Sequence, residues 1–467
     1  MELFIASAYA TVYLGRCKRP IIYAMSPEIA SDLEGQQELF QEHTNAVCQA
    51  GRVFKTSKGV DKALDRWMDV PATRAECVVD KLVNIINCVP SLHHMFWPSI
   101  YWFGNLQLVP FMATTIICKL LKIQRHHWAR EEAFFEDGEK VRIAWAGSKN
   151  VPEHSKEHKK IIVIHHGAGG REDDVPGTHY TGVALERGWM VCAFVRRGHA
   201  GRLTRPTFNF FGSTDESRYL LENYVKKRFP NSDVYVVGMS AGSGMVARYM
   251  GEQGVMLKKA YEKAAKAGTL NGRDYQDFAD EVPGYVCGAY GVAAGYNIEA
   301  CMGRFTWPYN SILLATQNLL YLRKNRDLVH KHNPDHFEKL MKATNLQEWL
   351  DESYVFAQQG NASKDAYYDH CNPMRVAHHV VDPSLFIQAR DDPVCDINNL
   401  YENLDLFQKP SGLAVAEVAS GSHCPFMPLR LNPVSNAAWT DQVMVEFFSA
   451  VMADRERRKG GSRDKLK

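Results

Sequence analysis

The fold of this chain is decided by the stretch Val236-Val237-Gly238-Met239-Ser240-Ala241-Gly242-Ser243-Gly244. The β-branched residues at its start favour a strand, and residues 245–250, which follow it, have helical character. A serine on a sharp turn between a strand and a helix is typical of a nucleophile elbow, where Gly238 and Gly242 avoid steric collisions. The turn also places Ser240 at a helix N-terminus, whose amide groups favour a developing negative charge. We therefore expect Ser240 to be a nucleophile.

The overall composition is that of a globular protein and excludes some classes of function. The chain has 467 residues, of which 45% are hydrophobic and 23% are charged, and its net charge is +2. Such a balance argues against a nucleic-acid-binding protein that works by charge. The eleven cysteines form no CxxC pair, so we interpret them as free thiols in a reducing compartment. These features predict an intracellular protein, either cytoplasmic or attached to an internal membrane.

Two apolar segments raise the question of membrane contact. Residues 1–14 are mostly apolar but too short to span a bilayer, and basic residues follow them rather than precede them. This order favours a surface or anchor helix over a cleaved signal peptide. Residues 95–118 contain no charge, but Pro98, Gly104 and Pro110 interrupt them, which favours a buried, lid-forming or interfacial segment over a spanning helix.

Strand-like and helix-like segments alternate on both sides of the elbow. An Asp-Gly pair at 137–138 predicts a hairpin upstream of them. We expect strands at 161–164, 190–195, 233–237, 285–291, 384–389 and 413–418, and helices at 178–187, 215–228 and 439–452. Alternation at this spacing predicts a mostly parallel sheet built from right-handed crossovers and flanked by helices, which is an α/β class of fold.

The domain organisation follows from where this alternation is interrupted. Residues 294–380 are helix-rich and aromatic, which indicates an insertion over the site. We predict five segments: a helical N-terminal extension (1–94), the first part of the core (95–293), a helical cap (294–380), the second part of the core (381–455) and a disordered basic tail (456–467).

An acid and a histidine follow the last two predicted strands. Asp392 comes after the strand at 384–389 and His423 after the strand at 413–418. The order Ser240, Asp392, His423 is the one expected on an α/β-hydrolase sheet. His423 would take the proton of Ser240, and Asp392 would hold the imidazole tautomer. Asp391 directly precedes Asp392 in the sequence and is the alternative acid.

A glycine-rich turn, His165-His166-Gly167-Ala168-Gly169-Gly170, follows the strand at 161–164. Such a turn can direct backbone amides at one point, so we expect the amides of Ala168 and Ala241 to form an oxyanion hole, with Gly167 as the turn glycine. Adjacent histidines on a strand point to opposite faces, which argues against a metal shared by His165 and His166. No metal and no cofactor are expected.

Several ordered motifs resemble one known group. They are Gly188-Trp189, Arg197-Gly198-His199-Ala200-Gly201, Asn231-Ser232-Asp233-Val234-Tyr235-Val236-Val237-Gly238-Met239-Ser240 and Arg248-Tyr249-Met250-Gly251. Together they resemble the YheT-like branch of the α/β-hydrolases, which includes bacterial esterases, plant embryogenesis-associated proteins and animal α/β-hydrolase domain-containing lipases 1 to 3. The similarity covers roughly residues 95–450. Ser422 and Asp396 depart from the residues usual in the group.

The resemblance implies hydrolysis of carboxylic esters, with lipids among the substrates and membrane attachment in the animal members. It also implies that Ser240 is the nucleophile, Asp392 the acid and His423 the base. We therefore expect a serine hydrolase that cleaves small-molecule or lipid acyl esters through an acyl-enzyme, with no nucleic-acid partner. Peripheral or anchored contact with a membrane stays open. The alternatives are a peptidase or thioesterase with the same triad, or a catalytically silent binding scaffold.

Overall fold

A nine-stranded sheet forms the centre of the molecule. The computed structural model describes residues 18, 20–24, 78–96, 108, 117, 121, 125–210, 213–305, 307–357, 363–404, 411–428 and 438–463. The strands are β1 (Ile21–Ala24), β2 (Trp128–Phe134), β3 (Lys140–Ala146), β4 (Lys160–His165), β5 (Met190–Val195), β6 (Asp233–Met239), β7 (Ala289–Val292), β8 (Ser384–Ala389) and β9 (Leu413–Val418). Their order across the sheet is β1-β9-β8-β7-β6-β4-β5-β3-β2.

The six strands β4 to β9 run parallel, and the strands outside them run antiparallel to their neighbours. The predicted hairpin at 137–138 is present, with Gly138 at a φ of 81°. In β4, Ile161 and Val163 pack on one face of the sheet, while Ile162 and Ile164 pack on the other. A strand covered on both faces is mostly apolar, which is why the parallel strands were recognisable as nearly continuous apolar runs.

Helices cover both faces of the sheet and form the cap. They are α1 (Val78–Asn87), α2 (Pro90–His93), α3 (Val175–Glu186), α4 (Asp215–Leu220), α5 (Ala241–Lys266), α6 (Ile298–Gly303), α7 (Tyr309–Gln317), α8 (Arg326–His332), α9 (Pro334–Lys342), α10 (Leu346–Ser353), α11 (Lys364–Cys371), α12 (Asn398–Tyr401) and α13 (Trp439–Arg463). One face is covered by α1, α2, α3 and α13. The other is covered by α4 and the first half of α5.

The cap has a hydrophobic core of its own. Side chains of α6 to α11 pack with Phe208 and Phe210, which belong to the loop after β5. Tyr321 stacks on Phe208 with ring centroids 4.5 Å apart, and Trp349 is fully buried beside them. Much of the aromatic content noted at 294–380 therefore holds the cap together, and the cap rests on the loop that follows β5.

The two ends of the chain differ from the sequence-based predictions. Residues 21–24, predicted to be helical, form the strand β1, which pairs with β9. The tail predicted to be disordered from 456 onward continues helix α13 to Arg463. Ion pairs anchor the beginning of this segment, because Arg458 contacts Asp454 and Glu456 contacts Lys160.

The predicted membrane segments lie almost entirely outside the described residues. Of residues 1–14 none is described, and of residues 95–118 only positions 95, 96, 108 and 117 are. Within the part of the chain that the structure describes, no helix is both long enough and apolar enough to cross a bilayer.

Candidate active site

Ser240 lies on a strained turn between β6 and α5. Its backbone has φ 53° and ψ −120°, a conformation that is rare for residues other than glycine. A Cβ atom on Gly238 would lie 2.6 Å from the carbonyl oxygen of Gly242, and one on Gly242 would lie 2.3 Å from the carbonyl oxygen of His165. The amide of Ser240 donates to the carbonyl oxygen of Val292 at 2.9 Å. Both glycines are thus required by close approach of backbone, as the elbow motif predicts.

The side chains of the three predicted triad residues form one hydrogen-bonded chain. The Oγ of Ser240 lies 2.8 Å from Nε2 of His423. On the other side of the ring, Nδ1 of His423 lies 2.9 Å from Oδ2 and 3.1 Å from Oδ1 of Asp392. In the tautomer with its proton on Nδ1, His423 donates to Asp392 and can accept the proton of Ser240.

The carboxylate of Asp392 is fixed by its own loop. Its Oδ1 accepts hydrogen bonds from the amides of Val394 and Cys395, each at 2.8 Å. Only 5% of the residue is exposed. The charge is therefore held in place by backbone donors in a site that excludes water, where it interacts strongly with the imidazole.

Asp391, the alternative acid, contacts the histidine loop instead of the histidine. Its Oδ1 accepts from the amides of Gly421 and Ser422 at 2.8 and 2.9 Å, and its Oδ2 accepts from the hydroxyl of Ser420 at 2.7 Å. Ser422 has a φ of 60°, a region where glycine fits without strain.

Two opposing effects act on the pKa of His423. Burial by itself lowers the pKa of the imidazole, but the nearby charge of Asp392 and the hydrogen bond to it raise the pKa. The net result is a pKa well above the ordinary value of 6.5. His423 is therefore a stronger base than a free histidine.

The turn after β4, residues 166–170, lies against the elbow, and we call it the oxyanion turn. Gly167 is so close to Ser240 that a Cβ atom on it would lie 3.3 Å from the Cβ of Ser240. Ala168 and Ala241 line the same cavity as Ser240 and His423. Ala241 is also the first residue of α5, where amides have no partner within the helix.

The buried Arg196 holds the oxyanion turn through hydrogen bonds to its carbonyl groups, a role that was not predicted from the sequence. Nη2 of Arg196 donates to the carbonyl oxygens of His166 and Gly167 at 3.0 and 2.7 Å. Its backbone amide donates to Nε2 of His166 at 3.1 Å, which fixes that ring. The available signal was a pair of arginines placed directly after the apolar strand β5. A charge at such a position needs a partner, and here the partners are backbone carbonyls.

A cavity of about 340 Å³ opens beside Ser240. Its lining is mainly apolar and comes from both the cap and the core. The cap contributes Ile298, Cys301, Met302, Phe305, Tyr309, Ile312, Leu313, Thr316 and Leu346. Among the described residues that line it, Asp174 is the one carboxylate. The cavity is therefore suited to an uncharged, apolar group.

The two adjacent histidines do not form a metal site. His165 packs edge-on against Phe194, whereas His166 bonds to the oxyanion turn and to Arg196. Burial and the charge of Arg196 lower the pKa of His165 to about 3. Among the described residues, the one cluster with three potential ligand atoms within 4.8 Å is Asp392, Cys395 and His423. Two of its members already bond to each other in the triad.

The comparisons with known proteins point to esterases and lipases. No protein-family model matches the chain. Human protein ABHD15 is 26% identical over 285 residues, which cover 60% of this chain and 54% of ABHD15, so the chain spans about half the length of that relative. Human monoacylglycerol lipase ABHD2 is 21% identical over 387 residues, covering 79% of this chain and 82% of the lipase. YheT of Escherichia coli strain K12 is 25% identical over 277 residues, covering 58% of this chain and 70% of YheT.

Proposed function

We propose that this chain, which is related in sequence to ABHD2 and YheT, is a serine esterase of the α/β-hydrolase type that cleaves uncharged, lipid-like acyl esters. One observation carries the proposal. The hydrogen-bonded chain of Ser240, His423 and Asp392 opens onto an apolar cavity, so an acyl group in the cavity has its carbonyl next to an activated hydroxyl.

In the acylation half of the proposed reaction, Oγ of Ser240 attacks the ester carbonyl carbon while Nε2 of His423 takes the hydroxyl proton. Asp392 stabilises the imidazolium that forms. The tetrahedral intermediate collapses when His423 passes the proton to the departing alcohol, which leaves the acyl group on Ser240. Water then attacks the acyl-enzyme with His423 again as base, and the proton returns to Ser240 as the acid leaves.

The negative oxygen of the intermediate needs donors that are in place before the reaction. We expect the amides of Ala168 and Ala241 to supply them, and this expectation is supported by the fact that both residues line the cavity beside Ser240. One such donor is worth about 3–4 kcal/mol of transition-state stabilisation. Arg196 keeps the oxyanion turn in its conformation through the carbonyl groups of that turn.

The cavity also favours one class of substrate. Its apolar lining offers few groups that could bond to a peptide backbone, which favours acyl esters over peptides. Asp174 would repel a substrate with a negative charge near the oxyanion turn. A neutral ester such as a monoacylglycerol, the substrate in the name of the relative ABHD2, fits both features better than an anionic lipid.

The proposal is tested by labelling with a fluorophosphonate probe. We expect the unmodified protein to be labelled and Ser240→Ala to be unlabelled. Ser311→Ala, which changes an exposed serine on the cap helix α7, should label normally. A panel of neutral acylglycerols, anionic lysophospholipids, thioesters and p-nitrophenyl esters of increasing chain length then defines the substrate. Absence of labelling in protein with a cooperative melting transition would reject the esterase, and so would labelling that persists in Ser240→Ala.

A further inference from the structure

The cap carries an exposed apolar surface on the segment that begins at Trp307. Trp307 is 82% exposed, Leu319 is 61% exposed and Ile312 is 40% exposed. Ala315 lies between the last two and is also exposed. The helix α7 continues as a π-helical segment over residues 318–323, and Ile312, Ala315 and Leu319 are the exposed apolar side chains along these two segments. We call these four residues the cap face.

The composition of this segment differs from that of an ordinary solvent-exposed helix. Residues 307–322 contain no Asp, Glu, Lys or Arg over 16 consecutive positions. Helices on a water-exposed surface normally carry charged side chains on their outer side. A tryptophan at one end and exposed leucine and isoleucine along the segment are typical of a helix that lies in a lipid interface.

Positive charge follows the apolar segment. Arg323 and Lys324 come directly after it, and Arg202 and Arg171 are close enough to Lys324 to act on its charge. Burial is the main cause that lowers the pKa of Lys324, and the two arginines lower it further. Such a cluster of cations beside an apolar segment is complementary to anionic headgroups.

The inner side of the same segment lines the candidate active site. Ile312, Leu313 and Thr316 line the cavity that contains Ser240. Thr316 lies against the oxyanion turn, since a Cβ atom on Gly169 would be 2.7 Å from its methyl carbon. Ile312 therefore belongs both to the exposed cap face and to the cavity wall. An acyl chain that left a lipid layer at the cap face would need to cross little water to reach the serine.

We propose that the cap face docks on an anionic lipid surface, with Trp307, Ile312 and Leu319 in the interfacial layer and Arg323 near the headgroups. Docking does not depend on catalysis. The further step, in which the docked protein takes its substrate from the layer, rests on the proposed esterase function.

The docking is tested by sedimentation of the full chain with lipid vesicles, in a Ser240→Ala background so that no lipid is hydrolysed. The vesicles contain either phosphatidylcholine alone or phosphatidylcholine with phosphatidylserine. We expect binding to the anionic vesicles, and a loss of about tenfold or more in the double variant Trp307→Ser/Leu319→Ser, because two exposed apolar side chains no longer insert. Phe134→Ser is the matched control, since Phe134 is 54% exposed and belongs to β2 and not to the cap.

Two further measurements keep the result unambiguous. Arg202→Gln/Arg323→Gln should weaken binding to anionic vesicles and leave binding to phosphatidylcholine unchanged. In protein with an intact Ser240, Trp307→Ser/Leu319→Ser should hydrolyse a water-soluble short-chain ester at the unmodified rate, because neither residue lines the cavity. Equal vesicle binding by the cap variant and the unmodified protein would overturn the proposal, and so would absence of binding to both vesicle types. In the first case the cap face would be reassigned to contact with another protein.

Discussion

Replacing each of two adjacent aspartates by asparagine separates a catalytic charge from a structural one. Asp392 faces Nδ1 of His423 at 2.9 Å, whereas Asp391 bonds to the backbone of the histidine loop. The two substitutions change the same atoms at neighbouring positions. Their effects on turnover should nevertheless differ by orders of magnitude.

In Asp392→Asn, the amide oxygen keeps the hydrogen bonds from the amides of Val394 and Cys395, so the NH₂ group faces His423. Nδ1 must then accept, which puts the ring proton on Nε2, and His423 can no longer take the proton of Ser240. The wrong tautomer lowers kcat about 10⁴-fold in enzymes with this triad. This loss equals about 5.5 kcal/mol of activation free energy.

In Asp391→Asn, the amide oxygen can still accept from Gly421 and Ser422, and the hydroxyl of Ser420 can rotate to accept from the new NH₂ group. Burial raises the pKa of Asp391, so loss of its charge also removes a desolvation cost. We expect kcat to fall less than about tenfold and the free energy of unfolding to fall by about 1 kcal/mol at most.

The assay is hydrolysis of a short-chain p-nitrophenyl ester by both variants, with urea unfolding as the measure of stability. A larger loss of kcat in Asp391→Asn than in Asp392→Asn, at similar stability, would refute the assignment of the acid. Similar small losses in both would refute the tautomer argument.

Three other outcomes follow from the contacts described above. Since His423 must be neutral to act as base and its pKa is raised, kcat/KM should increase with pH through a midpoint above 6.5, and a midpoint below 6 in a stopped-flow or steady-state profile would contradict this. Gly254→Ala should destabilise the protein by about 3 kcal/mol in urea unfolding, because the new Cβ would lie 1.8 Å from the carbonyl oxygen of His379. Arg196→Gln should lower kcat for every ester about tenfold or more while KM changes little, because the carbonyl groups of the oxyanion turn lose the hydrogen bonds that Arg196 donates to them. An effect on KM alone would indicate that Arg196 contacts the substrate instead.

The features predicted well from the sequence are those with a local steric or burial cause. Gly238 and Gly242 were identifiable because only glycine permits the backbone contacts of the elbow. The parallel strands were identifiable because burial on both faces favours nearly continuous apolar runs. The order of Ser240, Asp392 and His423 then followed from chain topology, since residues after parallel strands meet at one edge of the sheet.

The features that were missed depend on contacts between distant parts of the chain. Strand β1 has four residues and is defined by its pairing with β9, which no local pattern reveals. The end of α13 was predicted to be a charged, disordered tail, but Glu456 and Arg458 form ion pairs with Lys160 and Asp454 and the helix continues. The role of Asp391 also depends on tertiary contact, because its acceptors face a loop that lies 30 residues later in the chain.

The antiparallel strand β1 has a consequence for the solubility of the whole molecule. It covers the outer edge of β9, whose six residues are all buried. At the opposite edge, β2 carries Arg130, Glu131 and Glu132, and charges of this kind discourage pairing with another chain. A chain that began after residue 24 would leave β9 with a row of unpaired amides and carbonyls beside side chains that are apolar except for Glu417. Such an edge is a template for self-association, so residues 21–24 protect the protein from aggregation by pairing with β9.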